Sequence, residues 1–73
     1  MGNTKLDILH DIFIRTRDGG FASLHEIEVN TALSGSRLRP ILEDIKEEGL
    51  VIEHPEGFSI APGGIHFCRS RWG

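Results

Sequence analysis

The stretch Leu42-Glu43-Asp44-Ile45-Lys46-Glu47-Glu48-Gly49-Leu50-Val51 decides how this chain is read. It continues an apolar spacing of three, four and seven (Leu38, Ile41, Leu42, Ile45), which is one narrow face of a helix. Gly49 ends that helix, because glycine readily takes the left-handed backbone a helix terminus favours. Leu50-Val51-Ile52-Glu53-His54 then switches to β-type residues, Pro55-Glu56-Gly57 is a turn, and Phe58-Ser59-Ile60-Ala61 is a second β-type run. A short hairpin over 50–61 is expected.

Upstream, Ser34 or Ser36 can cap a helix over 35–48. Proline costs about 3 kcal/mol deep in a helix but little in its first turn. Pro40 therefore favours Ser36 as the cap, and helical phase puts Pro40 on the solvent side. Ser23 and Glu26 form an S-x-x-E capping box that opens a helix over 24–30, with Leu24 and Ile27 inward. Asn30-Thr31-Ala32 is a turn. A first helix over 4–17, capped by Asn3 or Thr4, carries Leu6, Leu9, Ile12 and Phe13 inward. Ile8 falls at the margin of that stripe and Ile14 off it. Asp18-Gly19-Gly20 stops the helix, and Phe21-Ala22 is a stub of strand. Pro62-Gly63-Gly64 breaks the chain after the hairpin, and 62–73 is either a short helix or an extended tail. The expected fold class is mainly α with a small β-hairpin (α+β), one domain over 1–73.

The chain has 73 residues, 38% hydrophobic and 26% charged, which is globular composition. No apolar run approaches the roughly 20 residues of a membrane span, and no signal peptide is visible. Cys68 is the single cysteine, so no internal disulfide forms and a reducing cytoplasm is the expected location. His66-x-Cys68 is the one close pair of metal-ligating types, with no second pair at zinc spacing, so no metal or cofactor is expected. No nucleophile elbow and no phosphate loop occurs, and the glycine pairs 19–20 and 63–64 are turns. An enzyme is not expected.

From Ser23-Leu24-His25-Glu26-Ile27 through Ser34-Gly35-Ser36-Arg37-Leu38-Arg39 to Leu42-x-x-Ile45-x-x-x-Gly49-Leu50-Val51, the chain resembles the winged helix-turn-helix DNA-binding superfamily of small prokaryotic and archaeal regulators. Ala61-Pro62-Gly63-Gly64 looks like the Thr-Pro-x-Gly turn that often follows the wing, with Ala61 in place of the usual Thr. The likeness covers roughly residues 4–64. It implies three helices plus a wing, with helix 35–48 as recognition helix entering a major groove by its N-terminal end. There, free N–H groups and the positive helix end suit phosphate, and Arg37 and Arg39 can grip phosphate or guanine. The implied nucleic-acid contacts are Ser23, His25, Ser34, Ser36, Arg37, Arg39, Lys46 and His54. The implied function is a double-stranded DNA-binding transcriptional regulator or chromatin-associated factor, cytoplasmic and nucleoid-associated.

Two features run against that pattern. The charge balance is 8 Lys+Arg against 11 Asp+Glu, a formal −3, whereas a nucleic-acid binder usually carries a basic excess. The wing has no Lys or Arg, and residues 43–56 hold six acids against Lys46 alone. The alternative is a winged-helix protein–protein adaptor without DNA binding, whose partner meets the acidic wing. Arg37 and Arg39 can also be surface arginines paired with Glu43 or Glu56. A homodimer through helix 1 and the C-terminal tail is also expected, because Ile14 lies off its stripe and Ile65, Phe67 and Trp72 need cover.

Overall fold

Four helices and one antiparallel hairpin make up residues 4–72, which the computed structural model describes. In chain order they are α1 (Thr4–Thr16), α2 (Leu24–Thr31), α3 (Gly35–Glu47), β1 (Val51–His54), β2 (Gly57–Ile60) and α4 (Pro62–Trp72). The capping expected of Asn3 lies outside the described residues, and Thr4 is already helical. The architecture is mainly helical with a two-stranded sheet, an α+β arrangement.

α1 is the central element, touching α2, α3, α4 and β2. Its buried arc is Ile8, Leu9, Ile12, Phe13 and Thr16. Ile8, expected at the margin, is fully buried, while Leu6 is only half-buried. The buried arc of α1 extends past that stripe to Ile8, because α2, α3, α4 and β2 pack on the helix from several sides. Leu38, Leu42 and Ile45 of α3, Ile27 of α2, Ala22 before it, Val51 of β1, Phe58 and Ile60 of β2, and Cys68 of α4 complete the core. Cys68 is a small packing residue there, and burial pushes its thiol up from the ordinary value.

Helix termini follow local chemistry. Ser23 caps α2: its Oγ accepts from the Glu26 N–H at 3.1 Å, and the Glu26 carboxylate accepts from the Ser23 N–H at 2.9 Å. That reciprocal pair is the expected capping box. α2 ends on Ala32, which takes φ 59 and ψ 26, so Thr31 is still helical. α3 corrects the expected cap. Ser34, with φ −71 and ψ 157, is the N-cap, and its carbonyl accepts from Arg37 and Leu38 N–H. Ser36 is a helical residue whose hydroxyl lies 3.2 Å from that of Ser34. Pro40 thus sits beyond the first turn, on the exposed side as expected. Its missing N–H leaves the Ser36 carbonyl toward solvent, where water can bond it. Gly49 takes φ 77, the left-handed conformation expected of it.

β1 and β2 pair Val51 with Ile60, Ile52 with Ser59, Glu53 with Phe58 and His54 with Gly57. The Ala61 N–H bonds the Leu50 carbonyl at 3.0 Å, which makes Val51–Ile60 and Glu53–Phe58 non-hydrogen-bonded pairs. The amides of Phe58 and Ile60 therefore face away from β1. Ala22 exchanges two 2.8 Å backbone bonds with Phe58, so the expected stub of strand is a single bridge. The Thr16 hydroxyl accepts from the Ile60 N–H at 2.9 Å and donates to the Ile12 carbonyl at 2.8 Å.

The segment after the hairpin is a helix. Pro62-Gly63-Gly64 forms its first turn rather than a break, since proline suits the first helical position, where no N–H is needed. The pair 63–64 is not a turn. Ile65 and Phe67 pack on the chain's own core, and Trp72 stacks on His10 of α1 with ring centroids 4.4 Å apart. The tail thus covers α1 of its own chain, and the apolar side chains expected to seek a partner are largely satisfied within one molecule. No described helix is long and apolar enough to cross a membrane.

Candidate nucleic-acid interface

The residues singled out as nucleic-acid contacts fall into three groups. Ser34, Ser36 and Arg37 crowd the exposed start of α3. Arg37 has no carboxylate within ion-pair distance among the described residues. This is the free cation of α3.

Arg39 and Lys46 form the second group, and they are not free. Arg39 meets Glu53 at 3.0 Å and Glu43 at 3.7 Å, while Lys46 meets Glu53 at 2.8 Å and Glu43 at 3.3 Å. Two cations of α3 and two carboxylates, one from α3 and one from β1, close a four-membered charge cage. Glu43 was an expected partner of the arginines; Glu53 takes the place expected of Glu56. The Arg39 guanidinium also lies 5.8 Å from the Phe58 ring centroid. The hydrogen bond from Lys46, and then that from Arg39, holds the Glu53 carboxyl below its ordinary value. Lys46 is raised, first by its hydrogen bond to Glu53 and then by that to Glu43.

These shifts set a pH dependence. A depressed carboxyl stabilises the fold above its unfolded value, near 4.3, and that contribution vanishes as pH falls through the folded value. The stability difference between wild type and Glu53→Gln should therefore shrink as pH is lowered from about 7 to about 3. Urea melts across that range measure it, and a difference that stays constant would refute the cage.

Ser23, His25 and His54 form the third group. The Ser23 hydroxyl is occupied by its capping bond. The His25 side chain is 84% exposed, with Nδ1 4.0 Å from Glu28 Oε1. His54 and Glu56 are both expected at the hairpin tip; Glu56 is there with Pro55, whereas His54 pairs with Gly57 one rung below and is half-buried, its Nε2 2.9 Å from Ser59 Oγ and its ring edge-on to Phe21 at 4.8 Å. The tip carries a negative charge and no cation.

One acid near this surface escaped the sequence reading. A Cβ added to Gly35 would lie 2.8 Å from Glu28 Oε2, so the Glu28 carboxylate rests against the first turn of α3. There it complements the positive helix end that a phosphate would otherwise use. Nothing local flags it, because the contact depends on how α2 crosses α3. No group of three or more His, Cys, Asp or Glu is placed to hold a metal ion among the described residues. No protein-family model, curated protein or solved structure matches the chain.

Proposed function

We propose that this chain is a winged helix-turn-helix domain that binds double-stranded DNA, as a small transcriptional regulator or chromatin-associated factor. In this reading α2 and α3 are the helix-turn-helix and the β1–β2 hairpin is the wing. The observation that carries it is the start of α3. Two serine hydroxyls and an unpaired Arg37 sit together on an exposed helix N-terminus, immediately after a tight turn from α2. Free helix N–H groups, hydroxyls and a guanidinium are the groups that bind phosphate and read base edges.

The cage limits the footprint. With Arg39 and Lys46 held by Glu43 and Glu53, and Glu28 beside the helix start, few cations remain to displace counterions. Binding should be weak and its salt dependence shallow. Fluorescence anisotropy with a random-sequence duplex, at two salt concentrations, tests the reading. Wild type should bind, and Arg37→Ala should bind more weakly with a salt slope smaller by about one ion equivalent. A folded wild type with no affinity at low salt would end it.

The adaptor reading has its own support. Phe21 and Ile52 are 44% and 43% exposed, and Phe21 packs on His54, which shares Ile52's face of β1. An exposed apolar patch on the outer face of the hairpin suits a protein surface better than a phosphate backbone. Duplex binding lost on Arg37→Ala favours DNA; no duplex binding in wild type favours the adaptor.

A further inference from the structure

A groove of about 390 Å³ runs along the outer side of α1, where the end of α2 faces it. Asp7, His10, Asp11 and Ile14 line it from α1, with Asn30 from α2 and Leu33 from the turn that follows. Among the described residues, no lysine or arginine lines it. Asp11 Oδ1 accepts from Arg15 Nε at 3.0 Å. Its Oδ2 is the only side-chain polar atom that is buried without a hydrogen-bond partner among the described residues. Such atoms are uncommon in folded proteins and costly. Ile14 stands 48% exposed at the same place.

The opposite chemistry lies at the end of α4, which meets α1 at His10. Trp72 stacks on that ring, is 40% exposed, and has the Arg71 guanidinium 5.8 Å from its own ring centroid. Arg69 and Arg71 are exposed in the last turn of α4, and neither has a carboxylate within ion-pair distance among the described residues.

We propose that the groove receives the basic end of α4 from a second copy of this chain, closing a two-fold dimer. A two-fold interface uses one patch twice, so the patch must contain both complementary halves. Here the acidic half (Asp7, Asp11) shares α1 with His10, and the basic half (Arg69, Arg71) shares the last turn of α4 with Trp72, which stacks on His10; a two-fold rotation would set each half against its opposite. Ile14, Leu33 and Trp72 supply the apolar burial. The charges set the register, because exposed ion pairs contribute little affinity on their own. The proposal does not depend on DNA binding.

Sedimentation equilibrium on the full chain, from micromolar to millimolar concentration, should show a mass rising from 8.1 kDa toward twice that value. A chain carrying Asp7→Lys and Asp11→Lys, and another carrying Arg69→Glu and Arg71→Glu, should each remain monomeric alone. Mixed, they should associate, since both halves of the interface become complementary again. Should either reversed chain lose its helical circular dichroism, the neutral pairs Asp7→Asn with Asp11→Asn and Arg69→Gln with Arg71→Gln carry the test. Each should weaken association at least about tenfold. A wild type fixed at 8.1 kDa overturns the proposal, including the case in which the groove binds a basic peptide as a monomer. Reversed chains that dimerise alone, or fail to associate when mixed, overturn it equally.

Discussion

Gly64→Ala is expected to destabilise the chain by at least about 3 kcal/mol, the upper end of what overpacking usually costs. Helix propensity alone points the other way, because Gly64 lies in α4 and alanine is better there by about 0.5–1 kcal/mol. Space decides the sign. A Cβ at this position would stand 2.0 Å from the Leu50 carbonyl oxygen and 2.6 Å from Ile60 Cδ1. The isoleucine can turn aside, but the carbonyl cannot: it accepts the Ala61 N–H that registers the hairpin. Either α4 lifts away, uncovering Cys68, or the Leu50–Ala61 bond breaks. A chain of this size has about 4–11 kcal/mol of stability in all. The thermal midpoint should therefore fall by about 12 °C or more. A variant melting alongside wild type would mean that α4 does not rest on Leu50.

Thr16→Val is the second large effect, expected at about 1–3 kcal/mol. Valine matches the shape of threonine, so packing is retained and only the hydroxyl is lost. That hydroxyl is 2.9 Å from the Ile60 amide, which faces away from β1 and sits beside a 7% exposed side chain. Without it the amide is buried and unpaired. Thr16→Ser keeps the bond and removes one methyl, worth about 0.8 kcal/mol. Chemical denaturation should therefore rank wild type above serine and serine above valine. A valine variant as stable as wild type, with serine alone destabilised, would assign Thr16 to packing alone.

Neither Thr16 nor Gly64 stands out in the sequence. Threonine near the end of an amphipathic helix reads as a polar boundary, and Pro62-Gly63-Gly64 reads as a break. Both roles come from elements distant along the chain, β2 in one case and Leu50 in the other. What was legible followed from local rules. The capping box at Ser23 and Glu26, the left-handed Gly49 and the apolar face of α3 each depend on residues within one or two turns, and each stands as expected. Ser34 rather than Ser36 caps α3 because the bond missing at Pro40 faces water, so the proline costs less there than in a buried helix interior. The charge surface was half legible. Arg39 and Glu43 are four residues apart on one helix, a spacing any sequence displays. Glu53 reaches Arg39 only because β1 returns along α3, and no periodicity carries that information.

The placement of β2 has a consequence for how the molecule opens. A lone two-stranded hairpin is marginal in water and would fray on its own. Here the edge of β2 away from β1 is bonded to Ala22, in the connection between α1 and α2, and to Thr16 at the end of α1. Freeing the hairpin means breaking contacts with the central helix, and those contacts hold most of the core. Local fluctuation of the hairpin is thus coupled to global unfolding, and amide exchange at Phe58 and Ile60 should run at the slow rate of the whole domain. Whatever this hairpin meets, it meets as a rigid ledge and not as a flexible arm.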